Sequence, residues 1–370
     1  MAIEPASMTS IPGPGRRIAL ALSLLGLVLI SPRPVQSQSD TGMRSEAPIR
    51  EVMLSDGVRR YGVPVTIGSV EVLAGLDTGA AGLRIMPDAP GRAAARAETA
   101  AEDYTFGSGA HLEGVKGSVT IRIGDLSGAA TVHLVNKVGC IPRAPGCPGS
   151  LGLKYGFLGD GLPGEGFRVL LGANMGRTSI DNPLIAAGAR RWIIELPRPG
   201  ETGHLILNPT DDELAGFTLL RLLGGFREEE GGGLHDSVLG CLRNETTQAR
   251  ACGPVAMDSG AFSLRLLNAG LGAAPWAKDT PVALEFMDDH RQPVAAVQMI
   301  VGHMAQTLSF GAAPRRETIV QPGTAPYFAY SVLYDPARRM IGLKARPSPR
   351  AIGGVAGSLP AAVDPNARRP

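Results

Sequence analysis

Two segments 181 residues apart (258 − 77) repeat each other, and each carries one carboxylate in a short polar turn between apolar flanks. The first reads Leu76-Asp77-Thr78-Gly79-Ala80-Ala81-Gly82-Leu83-Arg84-Ile85-Met86, and the second Met257-Asp258-Ser259-Gly260-Ala261-Phe262-Ser263-Leu264-Arg265-Leu266-Leu267. Asp, Gly, Ala, Leu and Arg recur at the same offsets, and Thr78 is answered by Ser259. Two carboxyls held at hydrogen-bonding distance cannot both ionise, so they share one proton. The charged member can then take a proton from water while the neutral member gives one to the substrate, which hydrolyses a peptide bond without a metal or a covalent intermediate. Glycine at 79 and 260 lets each turn approach the other closely, and the Thr78 and Ser259 hydroxyls can bond across the pair. A single Asp-Thr-Gly is an ordinary hairpin turn in a chain with 49 glycines. The matched pair implies two related lobes, each contributing one carboxylate to a shared site.

The elements that must position these turns read as β structure. Short apolar or alternating runs fall at 65–67, 72–76, 118–123, 130–135, 192–196, 204–207, 217–222, 282–286, 295–301 and 330–334, separated by Gly, Pro and Asp. The runs at 282–286 and 294–301, joined by a polar segment from Met287 to Pro293, form an expected hairpin. Helical signal is thin; the best case is 182–191, with Asp181 or Asn182 as cap and Pro183 in the first turn. Even turn spacing in an all-β chain points to barrels or sandwiches.

A net charge of +2 and 19% charged residues mark no nucleic-acid binder. Arg16-Arg17 precede an apolar run over 18–30, which suits the core of a signal peptide and is too short for a membrane span. Small residues around Ser37 place the expected cleavage there, giving a signal peptide over 1–37 and an exported protein, periplasmic or secreted, with no membrane span left after processing. Four cysteines fall in two close pairs, Cys140/Cys147 and Cys241/Cys252. Three pairings are possible; two short local disulfides are the simplest, and export to an oxidising compartment allows them. Neither pair has zinc-site spacing and no histidine adjoins either, so no metal and no cofactor is expected. The six histidines are scattered without ligand spacing. His235-Asp236-Ser237 holds triad residue types, but sequence neighbours do not make a triad, which meets in space. The glycine-rich stretch at 159–166 lacks the lysine of a phosphate loop. Residues 348–370, rich in Ala, Pro, Gly and Arg, read as a disordered tail.

Over most of 50–345 the chain resembles the two-lobed, pepsin-like aspartic peptidases. Asp77-Thr78-Gly79 and Asp258-Ser259-Gly260 match that family's two catalytic motifs, and Val169-Leu170-Leu171-Gly172 resembles the strand passing behind the first catalytic loop. Ser331-Val332-Leu333-Tyr334-Asp335 with Arg339-Met340-Ile341-Gly342-Leu343 resembles the closing hairpin. Phe106-Gly107-Ser108-Gly109 resembles the tip of a flap that closes over substrate, with Tyr104 two residues earlier as a substitute for the flap tyrosine. Several positions depart from the family pattern. Arg84 stands where a tryptophan supports the flap, and it would replace that support by stacking its cation on an aromatic ring. Ala80 and Ala261 remove hydroxyls that bond the outer carboxylate oxygens, which implies a dyad working at milder acidity. Gln321-Pro322-Gly323 replaces the second apolar-apolar-Gly strand.

The resemblance implies a bilobal acid protease fold, with two pseudo-twofold-related, barrel-like lobes at 48–208 and 209–347 and a cleft between them. It also implies a monomeric aspartic endopeptidase acting on a peptide or protein substrate. Asp77 and Asp258 would be the dyad, Thr78, Gly79, Ser259 and Gly260 would shape the turns, and Tyr104, Phe106, Gly107 and Ser108 would cover the substrate. The alternative is a pepsin-like peptide- or protein-binding protein with little or no catalysis.

Overall fold

The computed structural model describes residues 42–224, 235–261, 263–267, 276–302, 308–311, 317–347, 361–363 and 365. The expected signal segment, 1–37, lies outside them. Twenty-one strands are described. In chain order the first eleven are β1 (Ser45–Met53), β2 (Arg59–Ile67), β3 (Val70–Asp77), β4 (Ala81–Ile85), β5 (Arg96–Thr105), β6 (Ala110–Ile123), β7 (Leu126–Cys140), β8 (Val169–Ala173), β9 (Trp192–Glu195), β10 (Gly203–Leu207) and β11 (Thr218–Arg221). They are followed by β12 (Ser237–Asn244), β13 (Arg250–Ala256), β14 (Leu264–Leu267), β15 (Pro281–Met287), β16 (Pro293–Ile300), β17 (Leu308–Gly311), β18 (Ile319–Gln321), β19 (Tyr330–Asp335), β20 (Met340–Ala345) and β21 (Ala361–Val363). The fold is all-β and sheet-rich. Two large mixed sheets carry it, one of thirteen strands in the order β11-β20-β19-β9-β10-β1-β2-β3-β8-β4-β7-β6-β5 and one of eight in the order β17-β14-β18-β13-β12-β15-β16-β21.

Every apolar run singled out in the sequence falls in one of these strands, and the 282–301 hairpin forms as β15 and β16. β1 alternates, its first six residues buried and exposed in turn. The strands that carry the first turn do not alternate. β4 and β8 are buried at every residue, which is why they read as continuous apolar runs. β8 lies between the two arms of the first turn, parallel to β3 (Asp77 opposite Gly172) and antiparallel to β4 (Arg84 opposite Leu170).

The second turn repeats this arrangement with a defect. β18 runs parallel to β13 through Val255 and Val320, and antiparallel to β14, with Arg265 opposite Gln321. Subtracting 181 from Arg265 gives 84, so Gln321 occupies the place of Leu170, Pro322 that of Leu171 and Gly323 that of Gly172. The replacement read from the sequence is therefore located on the strand behind the second turn. Pro322 has no N–H to donate, and the ladder ends at Gln321.

Two expectations need correction. The helix expected over 182–191 is a single turn, α1 (Pro183–Ala186), capped by Asn182, whose side chain accepts from Leu184 N and Ile185 N. Gly188, with φ 106°, lies just beyond it in a left-handed conformation that stops the helix. The tail expected to be disordered from 348 supplies β21, which pairs antiparallel with β16 (Ala296 opposite Val363); the rest of 348–370, apart from residue 365, lies outside the described residues. Both local disulfides are present, Cys140–Cys147 and Cys241–Cys252. The second joins directly opposed residues of β12 and β13.

Candidate active site

The two Asp turns meet. Thr78 N donates to Ser259 Oγ at 3.1 Å, and Ser259 N donates to Thr78 Oγ1 at 2.8 Å. The hydroxyls then donate onward, Thr78 Oγ1 to Met257 O at 2.9 Å and Ser259 Oγ to Leu76 O at 3.2 Å. Leu76 and Met257 are themselves 181 apart (257 − 76), so the exchange is symmetric in the repeat. Each glycine abuts the opposite carboxylate: a methyl group on Gly79 would lie 2.5 Å from the Asp258 carboxyl carbon, and one on Gly260 would lie 2.4 Å from Asp77 Oδ1. No side chain fits there, which accounts for both glycines.

Asp77 is buried and Asp258 half-buried, and each carboxyl faces the glycine of the opposite turn. Asp77 Oδ1 accepts from Gly79 N at 2.8 Å, while Asp258 Oδ1 accepts from Gly260 N at 2.9 Å and Ala261 N at 3.1 Å. Burial first, and the charge of Asp258 second, push the Asp77 carboxyl up to about 7. Burial also raises Asp258, against the pull of its backbone donors. Arg60, missed in the sequence, stands beside them. It pairs with Asp160, and its Nη1 donates to Gly260 O at 2.6 Å.

Phe106, Gly107 and Ser108 form the tip of the β5–β6 hairpin, closed by Phe106 N to Ala110 O and Gly109 N to Phe106 O, both 2.9 Å. All three, with Tyr104, line a cleft of about 220 Å³ that also contains Asp77, Gly79, Asp258 and Gly260. Thr78 and Ser259 lie beneath it, fully buried. The Arg84 guanidinium carbon stands 3.4 Å from the centre of the Tyr104 ring, so the expected cation–aromatic stack forms, on Tyr104 rather than on Phe106. Tyr104 meets Phe106 edge-on at 4.9 Å, and Phe106, Phe157 and Tyr155 continue the aromatic wall at 6.2 and 6.0 Å. The glycine-rich stretch noted near 159 supplies another side. Leu158, Gly159 and Asp160 line the cleft, and Leu158 and Asp160 hold φ of 58° and 54°, a conformation costly for residues with a Cβ and common at functional sites.

Behind the turns lies a polar chain with no sequence signature. Thr78 Oγ1 gives its only proton to Met257 O, so across the 2.7 Å contact Tyr327 OH is the donor. By the same count Tyr334 donates to Tyr327 across 2.5 Å. Burial raises both phenols, and the nearby Asp236 adds to the rise. Asp236 is buried: Oδ2 accepts from Met175 N at 2.9 Å, Oδ1 has no hydrogen-bond partner among the described residues, and burial pushes the carboxyl up to about 8. Met175 follows Asn174, whose Nδ2 donates to Thr78 O at 3.1 Å, so Asp236 braces the segment that holds the first turn.

The cysteines lie in the two disulfides and have no part in this arrangement. Among the described residues no group of His, Cys, Asp and Glu is arranged to hold a metal, and no helix is long and apolar enough to cross a membrane. Comparison with models of known protein families and with curated proteins finds no match to this sequence.

Proposed function

We propose that the chain is a two-lobed, pepsin-like aspartic endopeptidase, exported and monomeric, whose cleft accepts an extended peptide. The observation that carries this reading is the meeting of the Asp77 and Asp258 turns through the exchanged Thr78 and Ser259 hydrogen bonds, each carboxyl set against the opposite glycine, beneath the β5–β6 hairpin. Two backbone donors stabilise charge on Asp258 and one does so on Asp77, and a protonated Asp77 adds its own hydrogen bond. The singly ionised pair therefore carries its charge on Asp258 and its proton on Asp77. Asp258 takes a proton from water, the water oxygen bonds to the peptide carbonyl carbon, and Asp77 gives its proton to the carbonyl oxygen. Breakdown of the resulting diol breaks the C–N bond. The amine then leaves with the proton that Asp258 took, and the diol's hydroxyl proton returns to Asp77. The hairpin tip and the aromatic wall exclude bulk water, which strengthens these charge effects.

The second reading, a peptide-binding relative without catalysis, is favoured by one observation: Pro322 ends the ladder behind the second turn, so that turn has less support than the first. One experiment separates the two. The processed protein is incubated with a mixed peptide library from pH 3 to 7, with and without a statine-type inhibitor, beside Asp77→Ala and Asp258→Ala. Cleavage abolished by inhibitor and by each substitution is the expected result. Peptide binding with no cleavage at any pH supports the binder instead.

A further inference from the structure

We infer that the cleft contains a subsite for an acidic substrate side chain, built on Arg265; this rests on the peptide-cleft reading above. The repeat supplies two arginines, at 84 and 265, and the fold uses them differently. Arg84 is fully buried, stacks on Tyr104 and donates to Ala81 O. Arg265 is half-buried and lines the cleft with the two aspartates. Among the described residues no ion pair or side-chain hydrogen bond engages its guanidinium. The cleft's other guanidinium, Arg60, is matched to Asp160, which leaves Arg265 as the cation whose carboxylate must come from outside.

A second observation points to the same place. Gln321 is the residue opposite Arg265 in the ladder and also lines the cleft. Its Oε1 is buried without a hydrogen-bond partner among the described residues. A buried polar atom without a partner is costly unless a ligand pairs it. At the equivalent place in the first half stands Leu170, opposite Arg84, so the polar pair belongs to one side of the cleft only. A guanidinium binds a carboxylate through two parallel hydrogen bonds, and an extended peptide laid beside it offers Gln321 a backbone N–H. The occupant is thus a peptide with Glu or Asp within three residues of the bond over the dyad.

The test uses one peptide frame with Glu, Gln or Lys at each of three positions on either side of the central bond. Each is made as an ordinary peptide for cleavage and as a reduced-bond analogue for binding by fluorescence anisotropy. At one position the native protein should prefer Glu over Gln by roughly tenfold or more, the scale of one charge-assisted hydrogen bond. Arg265→Met should bring that ratio to about one, and Arg265→Glu should reverse it in favour of Lys. Equal handling of Glu and Gln by the native protein, or a Glu preference that survives Arg265→Met, overturns the inference. A Glu preference in binding without cleavage of any peptide would end the endopeptidase reading and leave the subsite standing.

Discussion

Replacing Asp236 by Asn should convert a pH-dependent weakness of the fold into a flat response. Asp236 is buried, one of its oxygens has no hydrogen-bond partner among the described residues, and burial lifts its carboxyl from an ordinary 3.8 to about 8. The unfolded chain releases this proton near pH 4 and the folded chain holds it to about pH 8, so the folded state binds the extra proton in between. The neutral carboxyl's contribution is complete below pH 4 and is lost as pH rises through 8. The full difference corresponds to about 5–6 kcal/mol; local relaxation and water entry reduce it, and we expect about 3–4 kcal/mol. Asparagine cannot ionise, yet it keeps an acceptor for Met175 N. Asp77, Asp258 and the histidines titrate in both proteins and cancel in the comparison. Thermal unfolding of native and Asp236→Asn protein at pH 4.5 and 8.5 is the assay. The two should melt within about 2 °C of each other at pH 4.5, with the variant higher by roughly 5 °C at pH 8.5, at about 1–2 °C per kcal/mol for a chain of this size. Parallel melting curves at both pH values would refute the argument that Asp236 is held neutral by burial.

Because Asp77 keeps its proton to about pH 7, kcat/KM should fall as pH rises through 7 and peak at mild acidity; a pH–rate profile confined below pH 3 would contradict this. Gly79→Ala places a methyl group 2.5 Å from the Asp258 carboxyl carbon, so peptide cleavage should drop at least about 100-fold, with a stability cost of about 1–3 kcal/mol; near-native turnover would show that the carboxyls need not touch. Arg84 is a fully buried cation whose Nε and Nη2 have no hydrogen-bond partner among the described residues. Arg84→Met should therefore leave stability unchanged or raise it by up to ~3 kcal/mol, while loss of the stack on Tyr104 raises KM severalfold. Thermal melts and peptide kinetics check both halves, and a large fall in melting temperature would refute the first.

What was legible in the sequence is what repeats. The 181-residue offset carried both aspartates, both glycines and the Thr78–Ser259 pair, and apolar period and run length marked the strands. Comparison with the pepsin-like pattern also picked out Gln321-Pro322-Gly323 and the arginine beside the hairpin, because each departs from that pattern. Arg60, Asp160 and the Tyr155–Phe157 wall were not legible. They come from the start of β2 and from a glycine-rich loop, and they gain meaning only when sheet pairing brings residues 100 apart (160 − 60) to one place. Asp236 was visible only as part of a triplet with the wrong geometry for a triad. Its actual role depends on Met175 and on two tyrosines distant in the sequence, Tyr327 in a short helix and Tyr334 in β19. The helix over 182–191 was overestimated because a sound cap and Pro183 say how a helix starts, while Gly188 decides where it stops.

The thirteen-stranded sheet sets β9, at 192–195, against β19, at 330–335, with Val332 opposite Ile194. As the chain is synthesised, β9 emerges about 135 residues ahead of β19 (330 − 195), the strand that covers its edge. Until then the first half carries an open apolar edge, the kind of surface that recruits another chain. The half bearing Asp77 is thus sealed by the end of the sequence, and a chain cut short before residue 330 should collect in aggregates rather than persist as a stable half.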